Sequence, residues 1–343
     1  MRFMVPRYFA GFKCKMGECR SACCVGWPVT VSMKNYFTLL GMPCRKELRD
    51  RLDCALRMVD HPTEEEYARF SPNWLGDCPM RMEDGRCSIH AELGEEVLSD
   101  VCRLYPRGVR LWEGRYECSA SGSCEKTLEL LWDEEEPMTF AEEDFDVTPP
   151  PHPGSPSAAS GLPLSEELRF ALIGVMQDRS MRVGDRILGM RPLLGLGERA
   201  PSGDGISAAV RVLEYYAERS DSIRDAGEEI AERYGRDPGL FLAEAEAFDR
   251  RFPEWERFLE QMLTNHMFFT QFPWIGVGTE EALTSLAVIY GLLRVLAVGS
   301  GARERDGVVD ICAAAFRLIA HTPFERSVTA ALGGLDGYAL TAL

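Results

Sequence analysis

The chain has 343 residues, 45% apolar and 27% charged, a mixture that excludes a disordered or collagen-like polymer and leaves room for two folded domains. The net charge of −16 falls almost wholly after residue 124: residues 1–124 carry 18 basic and 17 acidic side chains, residues 125–343 carry 20 and 37. Such a surface repels a phosphate backbone, which excludes nucleic acid as the expected partner.

Taken in chain order, residues 1–19 hold no uninterrupted apolar stretch followed by a small-residue cleavage site, so no signal peptide is expected and the expected location is cytoplasmic. Residues 27–31 predict a short strand. Residues 78–82 and 86–89 flank Glu83-Asp84-Gly85, whose Asp-Gly pair predicts a hairpin that brings Cys78 and Cys87 together. The pattern recurs at 108–112 and 115–119 around Glu113-Gly114. Between them Leu93, Val97, Leu98, Val101 and Leu104 have helical spacing, which predicts a helix over 90–104 that ends before Pro106. Residues 133–163 combine an acidic run, three consecutive prolines and a Ser/Ala/Gly stretch, and predict a linker without regular structure. It separates a Cys-rich part, 1–132, from an acidic helical part, 164–343.

In that second part helices are predicted at 164–178, 206–233, 238–252, 254–269, 280–298, 306–320 and 324–332. The most apolar window, 283–298, is too short for a membrane span and contains Arg294, so it reads as a buried helix. No GxGxxG follows a strand, so a Rossmann cofactor site is not expected. The expected fold is mostly α, with a small Cys-rich metal-binding module of short β-hairpins packed on a helical bundle.

Eleven of the twelve cysteines precede residue 125. In a reducing compartment clustered thiols bind metal more often than they pair as disulfides. A thiolate site needs about four converging sulfurs, and Cys14, Cys19, Cys23 and Cys24 supply four within eleven residues. Cys78, Cys87, Cys102 and Cys124 exceed what one four-coordinate site can use. The chain has no Cys-x2-Cys knuckle, so zinc is allowed without being spelled out, and no Cys-x3-Cys-x2-Cys, which argues against radical chemistry. Cys44, Cys54, Cys118 and Cys312 read individually as buried thiols. Candidate proton acceptors are His90, His266, His321, Glu92 and the pair Tyr215-Tyr216; His266, amid Met267, Phe268 and Phe269, reads as a satisfied core histidine. Arg103 and Arg107, after Cys102, read as surface packing or as partners for an anionic centre.

Several of these segments together resemble the flagellin lysine-N-methylase family: CKMGECRSACCVGW at 14–27, CPMRMEDGRCSIH at 78–90, ELGEE at 92–96, LSDVCRLYPR at 98–107 and the stretch 116–124. Residues 258–272 and 289–317 resemble its later helices, with Asn265-His266 in place of a more common aromatic and aliphatic pair and Glu125 where proline is usual after Cys124. The resemblance implies methylation of flagellin lysines from S-adenosylmethionine and a [4Fe–4S] cluster, with zinc as the alternative metal. The thiols that match are Cys14, Cys19, Cys23, Cys24, Cys78, Cys87, Cys102 and Cys124. The implied partner is flagellin or another lysine-bearing protein. The competing reading of the same residues is a non-catalytic metal carrier or electron-transfer protein.

Overall fold

The computed structural model describes residues 1–20, 23, 29–74, 76–145, 147–150 and 152–343, and it is mostly α. Among the described residues seven strands accompany the helices: β1 (Arg2–Pro6), β2 (Val29–Val31), β3 (Leu56–Met58), β4 (Ala68–Phe70), β5 (Arg107–Trp112), β6 (Arg115–Ala120) and β7 (Phe140–Asp144). The chain divides into two compact units, a larger one of Met1–Phe12 with Val109–Leu343 and a smaller one of Lys13–Gly108. The division does not follow the composition break at 133–163.

In the larger unit the sheet order is β5-β6-β1-β7, with β1 parallel to β6 and antiparallel to β7. The expected hairpin at 108–119 is β5 and β6, and from Val109 onward it belongs to the larger unit. The expected linker holds a strand: β7 pairs residue for residue with β1 from Arg2↔Asp144 to Pro6↔Phe140. The acidic side chains that suggested a solvated linker suit an exposed sheet edge, while Phe140 anchors the strand by stacking on Phe268, with ring centroids 4.5 Å apart. Helices Gly205–Ala217 and Arg224–Arg236 replace the single helix expected over 206–233.

The helix Thr279–Gly299 is long and apolar enough to cross a membrane, yet 94% of its most apolar window is buried inside the unit. Arg294 sits there because Asp249 accepts both terminal nitrogens, at 2.6 and 2.8 Å, which compensates the buried charge. Gly291 and Gly299 admit Leu340 and Ile230, whose side chains come within 2.7 and 2.8 Å of where a Cβ would stand. A second buried pair ties helix Glu166–Met176 to the sheet: Arg169 donates to Glu117 at 2.7 Å and to the Phe268 carbonyl at 2.9 Å, beneath the Trp112 ring.

The smaller unit has a three-stranded antiparallel sheet, β2-β4-β3, and helices Met33–Gly41 and Lys46–Ala55. Val29, Val31, Leu39, Leu48, Leu52, Phe70, Met80 and Ile89 share one core with Cys78. The strand expected at 27–31 is described from Val29 onward; residues 27 and 28 lie outside the described residues. The Asp-Gly turn forms, with Met82 N–H donating to Arg86 O at 2.8 Å, but its arms meet in a single bridge, Arg81↔Cys87. The helix expected over 90–104 is instead helix Ser88–Leu93, a 3-10 turn Glu95–Val97 and helix Asp100–Leu104. Gly94, at φ 89°, ends the first piece, and the Ser99 hydroxyl, accepting from the Cys102 N–H, starts the last.

Candidate functional site

Two regions gather candidate groups, one in each unit. In the smaller unit, Met16 at φ 56° and Gly17 at φ 110° turn the chain sharply between Cys14 and Cys19. Gly17 rests directly on Gly85, so that a Cβ on Gly17 would lie 2.6 Å from the Gly85 carbonyl carbon and 2.7 Å from the Arg86 nitrogen. Gly85, at φ 83°, tops the turn between Cys78 and Cys87. Only two glycines allow this backbone contact, and it holds the loop of one thiol pair against the turn of the other.

The thiols differ in exposure. Cys14 and Cys23 are exposed, Cys19 and Cys87 half-buried, Cys78 buried and Cys102 exposed on its short helix. Cys24 lies outside the described residues. Cys124 belongs to the larger unit, where it caps helix Glu125–Asp133. Among the described residues no three His, Cys, Asp or Glu side chains are gathered closely enough to hold a metal ion as they stand. The donor set fits a soft metal in kind, since thiolates dominate it and two pairs are carried on touching loops.

Of the cysteines expected to be buried, Cys118 and Cys312 are, and burial pushes the Cys312 thiol upward. Cys44 is half-buried beside the core. Cys54 is exposed, because Leu48, Leu52 and Ala55 form the inward stripe of its helix and position 54 falls off that stripe.

The candidate proton acceptors scatter. His90 is half-buried in the smaller unit. Glu92 accepts from the Arg45 backbone N–H at 2.6 Å and its Nε at 2.9 Å, and those bonds hold its carboxyl below the usual range. Tyr216 hydrogen-bonds Ser327 at 2.8 Å, and burial pushes its phenol upward. His321 reaches Ser123 at 3.0 Å. Arg103 pairs with Asp100 at 3.1 Å, which fits the surface-packing reading.

His266 is different. It lines a cavity of about 330 Å³ in the larger unit, formed by β5, the turn after β6, and helices Trp255–Thr270, Arg305–His321 and Phe324–Leu332. Its ring is 94% buried against Phe316 and, among the described residues, makes no hydrogen bond, so it is a core histidine without the expected partner. Burial, with Arg110 nearby, pushes it down to about 4. The neighbouring Asn265 is fully engaged: Tyr8 donates to its Oδ1 at 2.6 Å and it donates to the Ala120 carbonyl at 2.9 Å. These bonds fix the helix on β6 and aim the next residue into the cavity.

Arg110 and Glu325 face the same space. Arg110 donates through Nε to the Phe269 carbonyl at 3.1 Å and lies over the Phe269 ring, while its terminal nitrogens have no acceptor among the described residues. Burial lowers the Arg110 guanidinium from its ordinary range and raises the Glu325 carboxyl, each partly offset by the other's charge. Gly122 completes the wall, since the Phe316 ring would stand 2.8 Å from a Cβ there. Neither Arg110 nor Glu325 stands in a sequence motif. The one signal was Asn265-His266, a polar pair inside an apolar helix.

Compared with known proteins, the chain is 26% identical over 140 residues to a lysine-N-methylase of Salmonella typhimurium and to one of Salmonella choleraesuis. It is 25% identical over 140 residues to the flagellar biosynthetic protein FliU of Salmonella muenchen. The family resemblance is borne out. Each match covers 40% of this chain; it spans 34% of the length of the two lysine-N-methylases and 80% of FliU. No family model and no solved structure matches the chain.

Proposed function

We propose that the protein is a protein-lysine N-methyltransferase that uses S-adenosylmethionine, with flagellin as its substrate and a thiolate-bound [4Fe–4S] cluster in its smaller unit. The observation that carries the reading is the similarity to proteins named lysine-N-methylase and FliU. In the reaction a neutral lysine amine attacks the methyl carbon in line. The carbon–sulfur bond breaks with its electron pair going to sulfur, which turns the sulfonium into a thioether, and the methylated ammonium then gives its proton to solvent water. No electron transfer is required, so a cluster would be structural, would bind the amino-carboxylate end of the cofactor, or would act as a redox switch. Mass spectrometry of flagellin incubated with the purified protein and S-adenosylmethionine tests the activity: added 14-dalton steps on lysine are expected, and unmodified flagellin leaves the metal-carrier reading.

The contact between Gly17 and Gly85 favours Cys14, Cys19, Cys78 and Cys87 as the first ligands to test within the eight matching thiols. Anaerobically purified protein should contain iron and sulfide and absorb in the visible. Cys87→Ala should lose that metal, whereas Cys54→Ala, on an outward helix face, and Cys312→Ala should keep it. Stoichiometric zinc without visible absorption would replace the cluster with zinc.

A further inference from the structure

The cavity of the larger unit is lined by three charged side chains, Arg110, Arg326 and Glu325. Among the described residues none of the three makes an ion pair, although Arg110 and Arg326 both act on Glu325 through space. Arg110 and Glu325 are half-buried; charged groups partly withdrawn from water without a counter-charge in contact are costly, and a ligand that brings both counter-charges lowers the cost at both ends. A single-charge ligand fails this test. A lysine ammonium would answer Glu325 and oppose Arg110 and Arg326, and a phosphate would answer the two arginines and oppose Glu325. An α-amino acid group, carboxylate on one arm and ammonium on the other, answers both.

We infer that this cavity binds the amino-acid end of S-adenosylmethionine, with the terminal nitrogens of Arg110 on the α-carboxylate and the carboxylate of Glu325 on the α-ammonium. The inference rests on the methyltransferase reading and names the place where the methyl donor sits. A guanidinium fork matches a carboxylate in shape as well as charge. His266 adds a neutral ring nitrogen that no protein group among the described residues engages, more than nine-tenths buried and lining the cavity. Phe269, Phe316 and Trp274 supply the apolar and aromatic wall that the rest of such a molecule needs. A volume of about 330 Å³ lies at the lower end of small-molecule sites.

Calorimetric titration of the full-length, anaerobically prepared protein decides the matter, with S-adenosylhomocysteine and 5′-methylthioadenosine as probes. The second keeps the nucleoside and the sulfur but lacks the amino-acid end. S-adenosylhomocysteine should bind at least about 100-fold more tightly than methylthioadenosine, the effect of losing two charge-assisted contacts. Arg110→Met and Glu325→Gln should each weaken S-adenosylhomocysteine by about 10- to 100-fold and leave methylthioadenosine unchanged. Equal binding of the two probes by the wild-type protein overturns the inference, and that comparison stands even where a variant fails to fold. Wild-type affinity in both folded variants overturns it as well, while the methyltransferase reading survives. Failure of the wild-type protein to bind either S-adenosylmethionine or S-adenosylhomocysteine removes both.

Discussion

At the residue scale, the informative side chains are polar groups placed where the surrounding sequence is apolar. His266 is the clearest, buried beside Phe316 and held down to about 4 by burial and by Arg110. In the unfolded chain the same ring titrates near 6.5, so between those values the unfolded state binds the extra proton. Stability therefore falls as pH drops from 6.5 towards 4, and this one ring accounts for up to about 3 kcal/mol of the loss. Urea unfolding of wild-type and His266→Gln protein across that window should show the variant losing less, by about that amount. Parallel curves would mean that the folded protein charges the ring freely. Asn265 was visible in the sequence as an oddity beside it, but its role depends on Tyr8 and Ala120, more than a hundred residues away.

At the scale of elements, the two loops that carry Cys14 with Cys19 and Cys78 with Cys87 are held together by glycine backbone. Gly17→Ala should strain a φ of 110° and drive a Cβ into Gly85, which costs about 1–3 kcal/mol for the backbone alone. Gly76→Ala strains a similar φ of 84° with no atom within 4 Å of its Cβ, and so isolates the contact from the strain. Thermal unfolding and metal content of the two variants should separate them: Gly17→Ala loses more stability and releases metal, Gly76→Ala keeps it. Equal behaviour would detach the loop contact from metal binding. Asp84-Gly85 made the turn legible in the sequence, whereas nothing local announced that Gly17 would meet it. The helix expected over 90–104 failed for a local reason: a glycine at positive φ and a serine cap outweighed the apolar spacing around them.

At the scale of the whole molecule, the acidic excess after residue 124 is the property most relevant to the proposed lysine-bearing substrate. Methylation of flagellin should slow as salt rises from about 0.05 to 0.5 M if charge attraction assists encounter, because the Debye length shrinks below about 10 Å over that range. A rate indifferent to salt would remove charge from the account of substrate capture. The sequence by itself determined the helical character of residues 164–343, the buried fate of the apolar helix around Arg294 and the thiol-rich start, because periodicity, composition and cysteine spacing are local properties. The tertiary structure alone decided that residues 1–12 and 109–120 join the helical unit as its sheet, that the acidic segment at 140–144 is the edge strand, and that Arg110, His266 and Glu325 share one cavity. Those outcomes depend on pairings between residues more than a hundred positions apart, which no local pattern encodes.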